Sequence, residues 1–359
     1  MTLYGPLESD ARVLRSLDVF KAIGKEVTIV TCNTREGYSA GDGVKIVNLH
    51  LKYGHKGYLY FCIRTVLYYL AHARQFDLIY LQDFLSSVPG LWLRFFARKK
   101  RMIYDAHELI IPKEGQRLSK RDQFFIKPER KLCEKADTVI EANKERADLI
   151  RETYGLDNVS YVLNITKLAY NGKVRTLPED GKIVLVYQGV ISKERNLSFF
   201  VDCLKALPEN YRMLFIGGGD AIPEMQERAA QLGVASRIEF TGRLSNAEML
   251  QRLDACHIGI ISYPFTSYNN IYCSPNKIFE YAALGLPFIA TEQPIFKNAQ
   301  EQYHTGRTFR YDDVSSFVEE TEALVKTYSS EAPQFERFLT DYSFNREMER
   351  LRSIIKQEA

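Results

Sequence analysis

Short apolar runs alternate with segments of helical periodicity along almost the whole chain. A strand apolar on both faces must be covered on both faces. Repeated strand-then-helix units therefore build parallel sheets with helices on either side. In the first half the runs fall at 26–31, 45–49, 78–81, 101–105, 138–140 and 159–163, and in the second at 183–188, 212–216, 237–240, 257–261 and 288–290. The fold class expected is α/β, in two parts. Between 164 and 182 the periodicity stops and Gly172, Pro178 and Gly181 accumulate, as in a linker. A chain of 359 residues is long for one average domain and suggests two, over 1–166 and 167–341.

Composition excludes several classes. Hydrophobic content of 45% and charge of 26% are those of a globular protein. The six cysteines are dispersed without a Cys-x-x-Cys pair, which speaks against a zinc site or a disulfide framework and for a reducing compartment. No signal-peptide pattern precedes the first strand, and no apolar run approaches the roughly 20 residues needed to span a bilayer. A cytoplasmic protein is expected, with peripheral membrane contact as its only link to a bilayer.

The richest chemistry lies at 274–290, SPNKIFEYAALGLPFIA. Pro275 suits the first turn of a helix, Gly285 its left-handed end, and Pro287 prevents a restart before an apolar strand. Lys277 and Glu280 are three apart and share one helical face. Two readings follow. One is a surface ion pair of little energetic weight. The other is an anion site, with the helix N-terminus at Ser274, Pro275 and Asn276 and the Lys277 ammonium meeting a phosphate, while the Glu280 carboxylate accepts from two ribose hydroxyls.

Other signatures stand in a fixed order around this block: Asp10-Ala-Arg-Val13, Ile103-Tyr-Asp105-Ala-His107-Glu108-Leu109, Val186-Tyr-Gln-Gly189, Lys193-Glu-Arg195-Asn196, Phe215-Ile-Gly217-Gly218-Gly219-Asp220 and Phe240-Thr-Gly242-Arg243-Leu244. In this order and spacing the chain resembles the GT-B glycosyltransferases, specifically the retaining family 4, over nearly its whole length. That resemblance implies two Rossmann-like domains with a cleft between them. The first (1–166) binds the acceptor and the second (167–341) the nucleotide sugar. A final helix over 342–357 packs back on the first, with Met348, Leu351, Ile354 and Ile355 at helical spacing. It implies a nucleoside diphosphate sugar as donor, uridine ahead of guanosine, and a glycan or lipid-linked acceptor of cell-envelope or capsule polysaccharide synthesis.

Site residues follow from the same resemblance. Arg195 and Lys277 would clamp the diphosphate, with Lys193 a second cation at that turn. Glu280 would hold the ribose. Gly189, Gly217 and Gly218 would let backbone approach the nucleotide, and Gly242 and Arg243 would lie near the base. His107 would meet the donor sugar or the acceptor hydroxyl, bordered by Asp10, Asp105 and Glu108. Asp10 reads equally as a helix cap. No metal or other cofactor is expected, since these cations suffice for the leaving diphosphate and no Asp-x-Asp motif is present. The chain departs from the family at two places. Tyr272 stands where many members carry a glutamate near the sugar, so Tyr272 or Asn270 would take its place. Only Thr2-Leu-Tyr4 precedes Gly5-Pro6, where members carry a fuller strand. A non-catalytic partner of an active transferase and a nucleotide-sugar epimerase on the same fold are the competing readings.

Charge is uneven. Residues 1–166 hold 26 Lys and Arg against 20 acids. Trp92, Phe95 and Phe96 stand beside Arg98-Lys-Lys-Arg101, and 113–135 adds eight cations and four anions. Such clusters suit an anionic membrane surface, although Trp92 and Phe96, four apart, also fit the buried face of a core helix. Nucleic acid is not expected, since no binding motif accompanies the charge.

Overall fold

The computed structural model describes residues 1–165, 167–328 and 333–357 and divides into two α/β units. The first comprises Met1–Asn164 with the segment from Asn345, and the second Ile165–Phe344. Residue 166, where the sequence reading draws the first boundary, lies outside the described residues.

The first unit carries strands β1 (Val27–Cys32), β2 (Val44–Leu49), β3 (Leu78–Gln82), β4 (Arg101–Asp105), β5 (Thr138–Glu141) and β6 (Val159–Tyr161). β1 pairs with β2 and β3-β4-β5-β6 form a second run, every pair parallel. Thr2 joins them, bridging Val30 of β1 and Leu81 of β3 in parallel. Leu3 donates its N–H to the Val30 carbonyl at 2.9 Å and Gln82 to the Thr2 carbonyl at 3.2 Å. The short N-terminal run thus fills a central strand position. Along β1 the side chains alternate between faces. Val27 and Ile29 pack with Val13, Leu17 and Phe20 of helix Ala11–Ala22, while Val30 and Cys32 pack with Phe61 and Cys62 of helix His55–His72. The final helix, Phe344–Lys356, buries Leu351, Ile354 and Ile355 in the first of these clusters. Arg101 ties it down by donating to the carbonyls of Ile354 and Ile355 at 2.6 and 2.8 Å.

The second unit is one parallel sheet of β7 (Ile183–Gln188), β8 (Tyr211–Ile216), β9 (Ile238–Gly242), β10 (Ile258–Ile261), β11 (Phe288–Thr291) and β12 (Gly306–Phe309), in the order β12-β11-β10-β7-β8-β9. Its core gathers Phe200, Phe215, Phe309 and Phe317. The sequence pattern does not foresee β12, because Gly306, Arg307 and Thr308 form no apolar run. As an edge strand paired on one side only, it needs none. The chain builds outward from β7 in both directions, through β8 and β9 on one side and β10 to β12 on the other. The carboxyl ends of the strands at such a reversal, here between β7 and β10, are the usual ligand position in open α/β sheets.

Candidate active site

At that reversal β7 ends in Gln188 and Gly189, and β10 runs on into Tyr263. Helix Asn276–Ala283 starts nearby, with Pro275 as its N-cap residue (φ −77°, ψ 142°) rather than within the first turn. The pyrrolidine ring fixes the extended approach to the helix instead of its first helical residue. Gly285 (φ 62°) follows the C-cap, as its lack of a Cβ permits.

Lys277 is only 9% exposed. Its Nζ lies 4.0 Å from the Tyr187 ring centre and 5.7 Å from that of Tyr263. Arg195, from the turn Lys193–Arg195 after β7, stands over Tyr263 at 4.6 Å. Aromatic faces give cations weak attraction but accept no proton. Lys277 Nζ, Arg195 Nη1, Ser274 Oγ, Asn276 Oδ1 and Gln188 Oε1 are all buried without a hydrogen-bond partner. Buried polar atoms are nearly always paired, so five such atoms at one helix start, the end of β7 and the turn after it mark a place suited to a bound group. Burial first, and the nearby Arg195 charge second, push the Lys277 ammonium down to about 7.

Glu280 does not pair with Lys277, so the surface-ion-pair reading fails. Its carboxylate accepts from the Gln188 side-chain amide, which orients it. Burial raises its pKa, with the Gln188 hydrogen bond and the Lys277 charge pulling the other way. Gly217 (φ 140°) ends β8 against Gly189, and a Cβ there would overlap the Gly189 carbonyl oxygen. The two backbones close on each other because Gly217 has no Cβ, while Gly189 is suited to its own positive φ of 126°. Gly217 also donates to the Gly242 carbonyl at 2.9 Å. Gly218 lies beside the exposed Arg243 side chain.

Three anticipated residues stand apart from the buried cluster. Lys193 is exposed and turns its Nζ to Glu224 at 3.8 Å. Arg243 is exposed. Tyr272 caps helix Tyr268–Ile271 and stacks on Tyr268 at 6.0 Å.

The first unit holds a second polar group at the ends of β3 and β4. Asp10 caps helix Ala11–Ala22, its Oδ1 accepting from the N–H groups of Arg12 and Val13 at 3.0 Å each. Its Oδ2 lies 3.4 Å from His107 Nδ1. His107 Nε2 meets Gln82 Oε1 at 2.7 Å, so the ring is held from both sides. The cap and site readings of Asp10 are therefore compatible. Burial alone would lower the His107 pKa, but the Asp10 hydrogen bond and the Asp105 and Asp83 charges outweigh it and raise it. Burial would raise Asp10, yet His107 and the two helix N–H groups hold it below its ordinary value. Asp105 is 2% exposed and turned to the interior, accepting from Arg12 Nε at 2.9 Å and from the Tyr80 hydroxyl at 2.7 Å. Glu108 is exposed.

Sequence reasoning passes over Tyr187, Gln188 and Tyr263 in the second unit and Arg12, Gln82 and Asp83 in the first. Each sits within a few residues of the end of a correctly placed strand or the start of a helix, so position alone marks them. What they do depends on which strands become neighbours. Among the described residues no cluster of three or more His, Cys, Asp or Glu side chains is disposed to hold a metal ion.

Residues 182–327 match the family described as Glycosyl transferases group 1, and residues 11–164 match the Glycosyl transferase 4-like domain. Sucrose-phosphate synthase from Thermosynechococcus elongatus has a similar structure, 16% identical with a TM-score of 0.74 over 96% of this chain and 92% of that one. HepE from Anabaena, solved with UDP, is 16% identical with a TM-score of 0.71 over 99% and 97%. The lipopolysaccharide outer core galactosyltransferase WaaB is 13% identical with a TM-score of 0.73 over 99% and 98%. At such identities the likeness speaks for the fold. No curated protein sequence matches the chain.

Proposed function

The chain belongs to the group 1 glycosyltransferases, and from that premise we propose that it moves a sugar from a nucleoside diphosphate sugar, with uridine preferred over guanosine, to a glycan or lipid-linked acceptor of envelope or capsule polysaccharide, retaining anomeric configuration. The observation that carries the donor reading is the set of five unpartnered buried polar atoms around Lys277. Two cations without a carboxylate partner, beside hydroxyl and amide groups at a helix start, suit a diphosphate. The binding of UDP and of UDP-glucose by HepE supports the uridine preference.

In this reading Lys277 and Arg195 stabilise the charge that grows on the departing diphosphate, and no divalent metal is needed. Ser274 and Asn276 add hydrogen bonds. Glu280, oriented by Gln188, receives the two ribose hydroxyls. The close backbone of Gly189, Gly217 and Gly218 lets the nucleotide approach, while Gly242 and Arg243 border the base and Lys193 acts only at long range. His107, braced by Asp10 and Gln82, addresses the sugar or the acceptor hydroxyl, with Asp105 and Glu108 beside it and Tyr272 replacing a carboxylate near the sugar. The departing phosphate oxygen takes the acceptor proton on the same face, so no protein nucleophile is assigned.

A thermal-shift titration with UDP, GDP and their sugar conjugates tests the reading. A ligand bound only by the folded state adds about 2.7 kcal/mol at a hundred times its Kd. UDP should raise the Tm of the native protein and leave that of Glu280→Ala and Lys277→Ala unmoved. The assignment fails if no nucleotide shifts the native protein, or if both variants retain full turnover.

A further inference from the structure

Helix His55–His72 is apolar on two sides. Phe61, Cys62, Thr65, Val66 and Tyr69 are buried toward the sheet, as a helix over a sheet requires. The opposite stripe, Leu59, Ile63, Leu67 and Leu70, is also apolar and lies 43–55% exposed. Spaced four, four and three apart, these residues form one row along the helix. Helix Ser87–Phe96 packs beside it and buries Leu93 while leaving Trp92, Phe95 and Phe96 at 39%, 64% and 53% exposure, so the core-face reading of Trp92 and Phe96 fails. Helix Lys120–Lys135 packs against that one in turn and presents Phe124 at 61%. Of the twelve large apolar side chains exposed among the described residues, ten lie on or just before these three helices. Scattered exposed leucines are ordinary, but a concentration of this kind marks a surface with a partner.

Charge selects the partner. Residues 52–101 contain nine Lys and Arg against two acids. Arg98 stands over Phe95 at 5.3 Å and Arg64 over Tyr60 at 5.9 Å, so cations and apolar groups share one surface. Two copies of such a face would repel, whereas an anionic headgroup layer offers charge for the cations and acyl chains for the apolar row. No helix among the described residues is long and apolar enough to cross a membrane.

We propose that the three-helix face carrying Leu59, Ile63, Leu67, Leu70, Phe95 and Phe96 docks the first unit on an anionic lipid bilayer, with the apolar row in the headgroup layer and Arg98, Lys99 and Lys100 on the lipid phosphates. It rests on the transferase reading only for its use, which is to hold the enzyme where a lipid-linked acceptor lies.

The test is sedimentation of the full chain with vesicles of phosphatidylcholine alone or with phosphatidylglycerol at about one third. Binding should appear with the anionic vesicles, be at least tenfold weaker with phosphatidylcholine, and fall with added salt. Leu67→Glu with Phe95→Glu should reduce partition at least tenfold, and Arg98→Gln with Lys99→Gln about fivefold per cation. The variants change exposed residues, so their Tm and their response to UDP should match the native protein, which keeps this outcome separate from the donor assignment. Absence of native binding to anionic vesicles, or equal binding by native and Leu67→Glu/Phe95→Glu protein, overturns the proposal. So does a native dimer in sedimentation velocity that the same substitutions dissolve.

Discussion

Arg12 in the first unit and Lys277 in the second are each 9% exposed, yet their surroundings are opposite. Arg12 meets Asp105 through Nε and Nη2, at 2.9 and 2.5 Å, and donates to the Val162 carbonyl at 3.2 Å. Asp105 is further held by Tyr80. Lys277 has aromatic faces, an unpartnered Nζ and a second cation, Arg195, as neighbours, and the Glu280 carboxylate acts on it only from a distance, without an ion pair. A buried charge with its counter-charge is part of the scaffold. A buried charge without one is a standing cost that only a ligand removes. Burial alone therefore does not mark a site. A buried cation lacking an ion pair, amid other unpartnered polar atoms, does.

The sharpest way to break this contrast is to remove each cation. Arg12→Ala strands the Asp105 carboxylate and should cost about 3–5 kcal/mol in urea unfolding. Lys277→Met removes a buried, unpaired charge and should raise ligand-free stability, by on the order of 2 kcal/mol once packing losses and the lost attraction to Glu280 are set against the charge removed. If Lys277→Met destabilises as much as Arg12→Ala, Lys277 belongs to the scaffold after all.

Titration sharpens it next. The folded Lys277 pKa of about 7 lies below the ordinary lysine value. Its full cost therefore stands below pH 7 and is relieved as pH rises toward the unfolded value, so ligand-free stability should climb over that window. A bound diphosphate favours the charged form. Nucleotide binding near pH 8 should then take up a proton, and affinity should fall by up to about tenfold per pH unit above 7. Calorimetry in buffers of different ionisation enthalpy reads that proton directly, and equal heats in both would remove Lys277 from the contact.

The smallest effect separates two roles of one residue. Asparagine caps a helix as well as aspartate does, so Asp10→Asn should change stability by less than about 1 kcal/mol. It weakens the carboxylate hydrogen bond that, ahead of the Asp105 and Asp83 charges, raises His107. The stability from that raised pKa is present below the unfolded histidine value and lost as pH climbs through the folded one. The variant should show a His107 titration at lower pH by NMR and a correspondingly displaced pH–rate profile. An unmoved titration would leave Asp10 as a cap alone.

Much of the fold was legible because its determinants are local. Runs such as Ile183–Gln188 announce buried strands by composition, and Gly285 and Pro287 end a helix by backbone geometry alone. Short or mixed elements were not legible. The bridging of Thr2 between β1 and β3 depends on two strands far along the chain, and β12 has no apolar run because it needs only one neighbour. In the candidate site the residue types Lys277, Glu280, Arg195 and His107 stood out by pattern, but their partners did not. Gln188 reaches Glu280 across 92 positions and Arg12 reaches Asp105 across 93.

By itself, then, the sequence determined the strand-and-helix alternation, the two-part division and the residues able to meet a phosphate or a sugar. Tertiary structure alone decided that Lys277 is buried without an ion-pair partner while Arg12 is paired with Asp105, and that an apolar row on one helix faces outward. The reason is physical. Propensity and periodicity act within a few residues, whereas desolvation and charge pairing depend on which distant segments pack together.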